Sequence, residues 1–338
     1  MHFDHVSIVS VGAIDAPIEV TSSDIEARLK PVLERLNIRS GLLENLAGIR
    51  ARRYWEEGVE PSDVATQAAR KALDLADVDP QKIGVIINTS VCRDYIEPST
   101  ACLVHGNLGL APECMNFDLG NACLAFMNGM QMAGNMIERG QIHYALIVDG
   151  EGSRNVCEKT IERLLDSDCD EETFRSSFAA LTLGSGAVAM VLARKELAPE
   201  GHRFVGAVEL AATEHNLLCR GQPDWMETDT KRLLMSGLEL ASQTWVKAQK
   251  ELGWKQEELD HFVLHQVSKV HTESLAQTLG LEADKIFTIF NEFGNIGPAA
   301  VPITLAKSIE KGRIKRGDRI ALMGIGSGLN CAMAEIVW

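Results

Sequence analysis

Cys123 sits in Gly120-Asn121-Ala122-Cys123-Leu124-Ala125-Phe126, the opening of an apolar stretch that runs on to Ile137. A thiol in the first turn of a buried helix faces unpaired N–H groups and the positive end of the helix dipole. Both favour the thiolate, so the position predicts a lowered cysteine pKa. His265 ends the apolar run Phe262-Val263-Leu264, and Asn295 lies between glycines in Gly294-Asn295-Ile296-Gly297. Cysteine, histidine and asparagine far apart in sequence are the parts of a covalent acyl-transfer site. Alone, each has a plainer reading: a small buried hydrophobe, a satisfied core histidine, a turn asparagine. Together, His265 and Asn295 can aim two neutral donors at one developing negative charge, the oxyanion hole that carbanion chemistry needs. The N–H of Cys123 itself can face an acyl oxygen.

Three further segments carry candidate groups. Gly324-Ile325-Gly326-Ser327-Gly328 follows an apolar run but lacks the helix of a dinucleotide loop. Its alternating glycines, Gly326 and Gly328 among them, predict backbone N–H groups brought close to the thiol. Glu97, in Ile96-Glu97-Pro98-Ser99, is a loop carboxylate that only proton abstraction from carbon would single out. Arg50-Ala51-Arg52-Arg53-Tyr54-Trp55 is the richest basic segment, readable either as a solvated turn or as a patch in which Arg50 and Arg53 meet an anionic substrate.

These groups need a framework, and 338 residues with 46% apolar content can build one. The net charge of -14 argues against nucleic acid or an anionic membrane as a general partner. No apolar run is long enough to span a membrane. The eight cysteines form no CxxC pair, and no cluster has the spacing of a metal site. Such cysteine usage points to a reducing compartment, and the first residues do not read as a signal peptide, so a cytoplasmic location is expected.

The chain also repeats. Tyr144 to Gly152 aligns with Ile320 to Gly328, and Ile83 to Thr89 with Leu259 to His265, both at an offset of 176 residues. Ile137 to Ile142 matches Ile309 to Ile314, and Gly120-Asn121 matches Gly294-Asn295, at nearly the same offset. Each half reads as helix, apolar strand, loop, helix and a strand ending in Gly-x-Gly. Helices are predicted over about 61–75, 101–108, 124–137, 230–252 and 271–279, and from Pro298 onward, and strands over 83–87 and 262–264. The acidic run Asp166 to Glu172 reads as a surface loop. The halves are placed at 1–196 and 197–338, as layered sheets sandwiching buried helices in one compact unit.

Ala47-Gly48-Ile49-Arg50-Ala51-Arg52, Pro98-Ser99-Thr100-Ala101-Cys102, Asn121-Ala122-Cys123, Leu183-Gly184-Ser185-Gly186-Ala187, His265-Gln266, Gly294-Asn295 and Gly324 to Gly328 run in order along nearly the whole chain. In that order they resemble the thiolase superfamily, and within it the ketoacyl-ACP synthase III branch. The resemblance implies an α/β thiolase fold, two pseudo-repeated α/β halves in a five-layered αβαβα sandwich, working as a homodimer. The chain departs from a decarboxylating synthase at Ser268, where that group has asparagine, and at Glu97, where its residue is not acidic. Both departures make it similar to the OleA-type thiolases, which join two fatty acyl-CoAs head to head in bacterial long-chain olefin synthesis.

That resemblance implies a ping-pong reaction. Cys123 is acylated by one long-chain acyl-CoA, with the N–H groups of Cys123 and Ser327 as oxyanion hole. Glu97, reaching in from the partner subunit and raised in pKa by a dry pocket, deprotonates a second acyl-CoA. His265 and Asn295 hold the enolate, and the product is a 2-alkyl-3-oxoalkanoic acid with no cofactor beyond the coenzyme A thioesters. Downstream olefin-pathway enzymes are implied as partners. The alternatives are a decarboxylative 3-oxoacyl-ACP synthase III using malonyl-ACP, an enzyme like hydroxymethylglutaryl-CoA synthase, and a catalytically inactive partner subunit of the same fold.

Overall fold

Short, continuously apolar runs become the centre of the molecule. The computed structural model describes residues 1–338. Nine strands form the main sheet: β1 (Val6–Asp15), β2 (Val85–Asn88), β3 (Met115–Asp118), β4 (Tyr144–Glu151), β5 (Gly186–Arg194), β6 (His202–Ala211), β7 (His261–Leu264), β8 (Arg319–Gly326) and β9 (Asn330–Val337). Their order is β7-β8-β9-β6-β1-β5-β4-β2-β3. Only β2 with its neighbours β3 and β4, and β7 with β8, pair in parallel. Strands such as β4 and β5 are buried on both faces, which is why they read as unbroken apolar runs rather than alternating ones.

β1 meets β6 through only Ser7 with Arg203 and Ile8 with His202. At this narrow seam the sheet divides into two portions that face each other across two buried helices, α3 (Ala125–Glu138) and α6 (Ala300–Glu310). One core joins Phe126 and Met130 of α3 and Ile303 of α6 to Val188 on one portion and Leu322 on the other. Outside the first portion lie α1 (Pro61–Ala76) and α2 (Thr100–Leu108), with Ala65, Ala69 and Leu73 packed on Ile86 and Val191. Outside the second lie α4 (Thr230–Glu251) and α5 (Lys269–Leu279), with Leu240 and Trp245 on Phe262 and Met333. The result is the five-layered αβαβα thiolase arrangement.

The repeat is physical. β2 corresponds to β7, β4 to β8, and α3 to α6. Each central helix is preceded by a Gly-Asn pair and a 3₁₀ turn, Ala122–Leu124 in the first half and Gly297–Ala299 in the second. The helix expected from Pro298 therefore begins at Ala300, with Pro298 in the preceding turn. The acidic run is a loop only in its first part: Asp170 accepts from the N–H of Thr173 and caps a helix over Glu171–Ser177.

The halves close on each other at Gly184. Its N–H donates to the Asn295 carbonyl at 2.8 Å, and a Cβ there would run into the carbonyl of Phe293. Gly184→Ala should therefore cost about 1–3 kcal/mol of stability, the range for forced overpacking, read as a lower urea midpoint. A midpoint equal to the parent's would show that this contact is not a constraint.

Candidate active site

The turn carrying Cys123 is built from strained backbone and small residues. Ala122 has φ +46, in the left-handed region that a side chain disfavours. A chain of amides holds the turn in place. Asn330 at the start of β9 donates to Asn121 Oδ1 at 3.1 Å, and Asn121 donates to Asn128 Oδ1 at 2.7 Å. Asn128 in turn donates to Glu209 Oε2 at 2.7 Å. The turn lies directly on β8, where a Cβ on Gly326 would sit 3.1 Å from the Asn121 carbonyl and one on Gly324 would sit 2.7 Å from Leu124. Ser327 and Gly328 form the turn that leaves this strand, Gly328 with φ +123.

His265 follows β7, and its N–H donates to the carbonyl of Met323 on β8 at 2.8 Å. Its Nδ1 is buried without a partner. A buried N–H left unpaired costs more than a buried lone pair, so the proton of the neutral ring belongs on Nε2, as a donor. Gln266, also buried, orients the neighbouring segment: Nε2 donates to the Phe287 carbonyl, and Oε1 accepts from the N–H groups of Ile289 and Phe290. That segment leads into Asn295, whose N–H donates to the Thr182 carbonyl at 2.9 Å. Asn295 Oδ1 accepts from Gly297 N–H at 3.1 Å, so Nδ2 is the group left to donate outward. The Gly297–Ala299 turn packs against the Cys123 turn. The Cys123 turn thus packs against both β8 and the turn that follows Asn295, while His265 and the Gly326–Gly328 turn follow the paired strands β7 and β8.

The electrostatics correct one expectation. Cys123 precedes α3 and lies in a 3₁₀ turn rather than in the first turn of the helix. Burial pushes its thiol up to about 12, Cys219, Glu151 and Asp149 push the same way, and its own N–H opposes them only in part. Desolvation outweighs the helix terminus, so the resting group is a thiol. Burial also lowers His265 to about 4 and His271 to about 4, His271 adding to the effect on His265. Both rings are neutral at neutral pH.

Glu97 is exposed on its own chain and makes no hydrogen bond or ion pair to this cluster. It sits on an arm with Tyr95, 59% exposed, and Ile96, 96% exposed. The arginines do not form one anion patch. Arg50 pairs with Glu19 at 3.1 Å, Arg53 stacks over Phe293, and Arg52 is wholly buried, donating to Ser22 Oγ and the Leu181 carbonyl.

Two buried carboxylates escape the sequence reading, Asp149 and Glu151 at the end of β4. Desolvation raises both, and for Asp149 the nearby Glu151 adds to it. A Cβ on Gly297 would touch Glu151, and Glu151 lies within electrostatic reach of Cys123. The signal that could have found them is two acids closing an otherwise apolar strand.

Models of 3-oxoacyl-[acyl-carrier-protein] synthase III match residues 117–212, and models of its C-terminal part match residues 249–338. An acyl-CoA:acyl-CoA alkyltransferase of Xanthomonas campestris pv. campestris is 57% identical over 338 residues, all of both chains. The crystal structure of cerulenin-bound OleA from Xanthomonas superposes with a TM-score of 0.99 at 57% identity, over 100% of this chain and 98% of that one. A cysteine-to-serine variant of Xanthomonas campestris OleA with bound lauric acid and lauroyl-CoA superposes with a TM-score of 0.98 at 56% identity, over 99% of this chain and 100% of that one.

The buried histidines make a pH prediction. The unfolded chain takes up protons below about pH 6.5, whereas folded His265 resists until about pH 4. Its contribution to stability is therefore full above 6.5 and lost as pH falls through that window. His265→Asn should flatten the acid limb. The parent's stability advantage over the variant should shrink by at most about 3 kcal/mol between pH 7 and 4. Parallel pH curves would contradict a histidine held neutral.

Proposed function

The chain belongs to the acyl-CoA:acyl-CoA alkyltransferase family, and from that premise we propose that it joins two long-chain acyl-CoAs head to head without loss of carbon dioxide. Cys123 attacks the first thioester, and the N–H groups of Cys123 and Ser327 receive the tetrahedral oxyanion. The thiol's proton passes to the departing coenzyme A sulfur, so acyl-Cys123 and free coenzyme A form with no lasting charge in a dry site. A second acyl-CoA then binds, and Glu97 takes a proton from its α-carbon. His265 Nε2 and Asn295 Nδ2 donate to the thioester oxygen as it becomes an enolate. The enolate carbon attacks acyl-Cys123, the carbon–sulfur bond breaks, and the Cys123 thiolate takes up the proton that Glu97 removed, which returns both groups to their starting states. Hydrolysis of the remaining thioester gives a 2-alkyl-3-oxoalkanoic acid and the second coenzyme A.

Neutral donors suit this chemistry. A charged imidazolium would bind other anions and would cost desolvation energy that the buried pocket does not return. The reaction needs no cofactor beyond the two thioesters. Gly326 and Gly328 keep the backbone close to the acyl group, while Arg50 and Arg53, already engaged with Glu19 and Phe293, are weak candidates for holding coenzyme A phosphates.

The observation that carries the non-decarboxylative reading is Glu97 itself, a carboxylate with no ion pair in its own chain, on an arm flanked by exposed Tyr95 and Ile96. Such an apolar protrusion is suited to burial against a second copy, which supports a homodimer in which Glu97 serves the partner's site. A cytoplasmic location and transfer of the product to enzymes of olefin synthesis complete the proposal. No helix is long and apolar enough to cross a membrane.

A decarboxylative synthase makes its carbanion by losing carbon dioxide and needs no base, so Glu97 separates the two reactions. Glu97→Gln should still form acyl-Cys123, seen by intact mass, while condensation falls about 10²–10⁴-fold, the usual worth of a general base. Cys123→Ala should form no adduct. Condensation at the parental rate in Glu97→Gln would remove the base role, and an adduct persisting in Cys123→Ala would remove the nucleophile.

A further inference from the structure

The parallel pairing of β2 with β4 does not stop where the strands do. Within them the register runs from Val85 with Ala145 to Asn88 with Val148, an offset of 60 residues. The N–H of Thr89 makes the last main-chain rung, to the Val148 carbonyl at 2.9 Å. Beyond it side chains continue the ladder at the same offset. Thr89 Oγ1 donates to Asp149 Oδ2 at 2.6 Å, and the N–H of Gly150 donates to Ser90 Oγ at 2.7 Å. The N–H of Val91 donates to Glu151 Oε1 at 2.6 Å, and Cys92 Sγ donates to the Gly152 carbonyl at 3.3 Å. Main-chain rungs hold strands about 4.8 Å apart. Side-chain rungs let the two chains diverge while they stay bonded.

What diverges is the arm that carries Glu97. Its far root is also tied: Asp94 accepts from Ser62 Oγ at 2.6 Å and from Thr100 Oγ1 at 3.1 Å. Between Asp94 and Thr100, Tyr95, Ile96, Glu97 and Pro98 are exposed to solvent. Glu151 is the outermost carboxylate on the near root. It is buried beside Gly297 and within electrostatic reach of Cys123, so one side chain links the base of the arm to the edge of the site.

We infer that Glu151 is a positioning residue, holding the root of the Glu97 arm through the Val91 N–H so that Glu97 reaches the α-carbon of the second acyl chain. The inference rests on the reading of Glu97 as base. It gives Glu151 no contact with the reacting atoms. Its carboxylate accepts from the Val91 N–H and also meets the neighbouring Cys92, so a neutral side chain that still accepts there should serve in its place.

The test compares Glu151→Ala, Glu151→Gln and Glu97→Gln in the full-length protein with one long-chain acyl-CoA. Cys123 acylation is followed by intact mass, and condensation by product formation. Glu151→Ala leaves the Val91 N–H without its acceptor. It should slow condensation about 10- to 100-fold more than it slows acylation of Cys123, the scale of a misplaced catalytic group. Glu151→Gln keeps an acceptor and should restore at least about half of the condensation rate. Three results would overturn the inference: parental condensation by Glu151→Ala, equal loss of both steps, or Glu151→Gln as slow as Glu151→Ala. Glu97→Gln keeps the two readings distinct. If it condenses normally, the base itself is wrong; if it is inactive while Glu151→Ala is normal, only the positioning role falls.

Discussion

The close approach of the Cys123 turn to β8 is the constraint on which the site depends. Gly324 and Gly326 let the turn lie within van der Waals reach of a strand from the other half of the chain. Cys123 comes from the first half, and His265 and Asn295 from the second. Without that contact the two halves would carry their groups on separate surfaces. Burial around this contact and at the end of β4 shifts the titratable groups of the site. The thiol stays protonated, His265 and His271 stay neutral, and two carboxylates at the end of β4 are raised by burial.

Dryness suits carbon–carbon bond formation. A thioester enolate is a strong base that water would quench, and neutral donors are worth more to it where the dielectric is low. The resting thiol is the corresponding cost, since burial withholds the thiolate that a helix start alone would favour. A reaction that moves the proton from Cys123 to the leaving sulfur never has to sustain that charge. Glu97 is placed differently, on an exposed arm of its own chain; the proposed base role requires a second copy to carry it to the pocket.

Much of this was legible in the residues. The offset of 176 located β2 against β7 and β4 against β8, because equivalent strands keep their spacing when a fold repeats. The Gly-Asn pairs marked the two turns that precede the buried helices, and Cys123, His265 and Asn295 stood out as candidates by type and surroundings. Burial was not legible. The helix-start argument for Cys123 weighed the dipole and could not weigh desolvation, which depends on strands nearly 200 residues away. Arg52 read as part of a basic patch and is a buried anchor, because nothing local shows that Ser22 and Leu181 come to meet it. Asp149 and Glu151 lie within the repeated segment Tyr144 to Gly152, and acids in an unbroken apolar strand are themselves a sign of buried chemistry.

Retention of both carboxyl carbons is the most direct test of the central claim. Purified protein given a single long-chain acyl-CoA labelled with ¹³C at its thioester carbon should yield a product that unites two chains. Soft-ionisation mass analysis should find both labels in the unheated product, one as the ketone and one as the new carboxylic acid. Release of one label as carbon dioxide during the enzymatic step would contradict the account, as would a failure to join two chains at all.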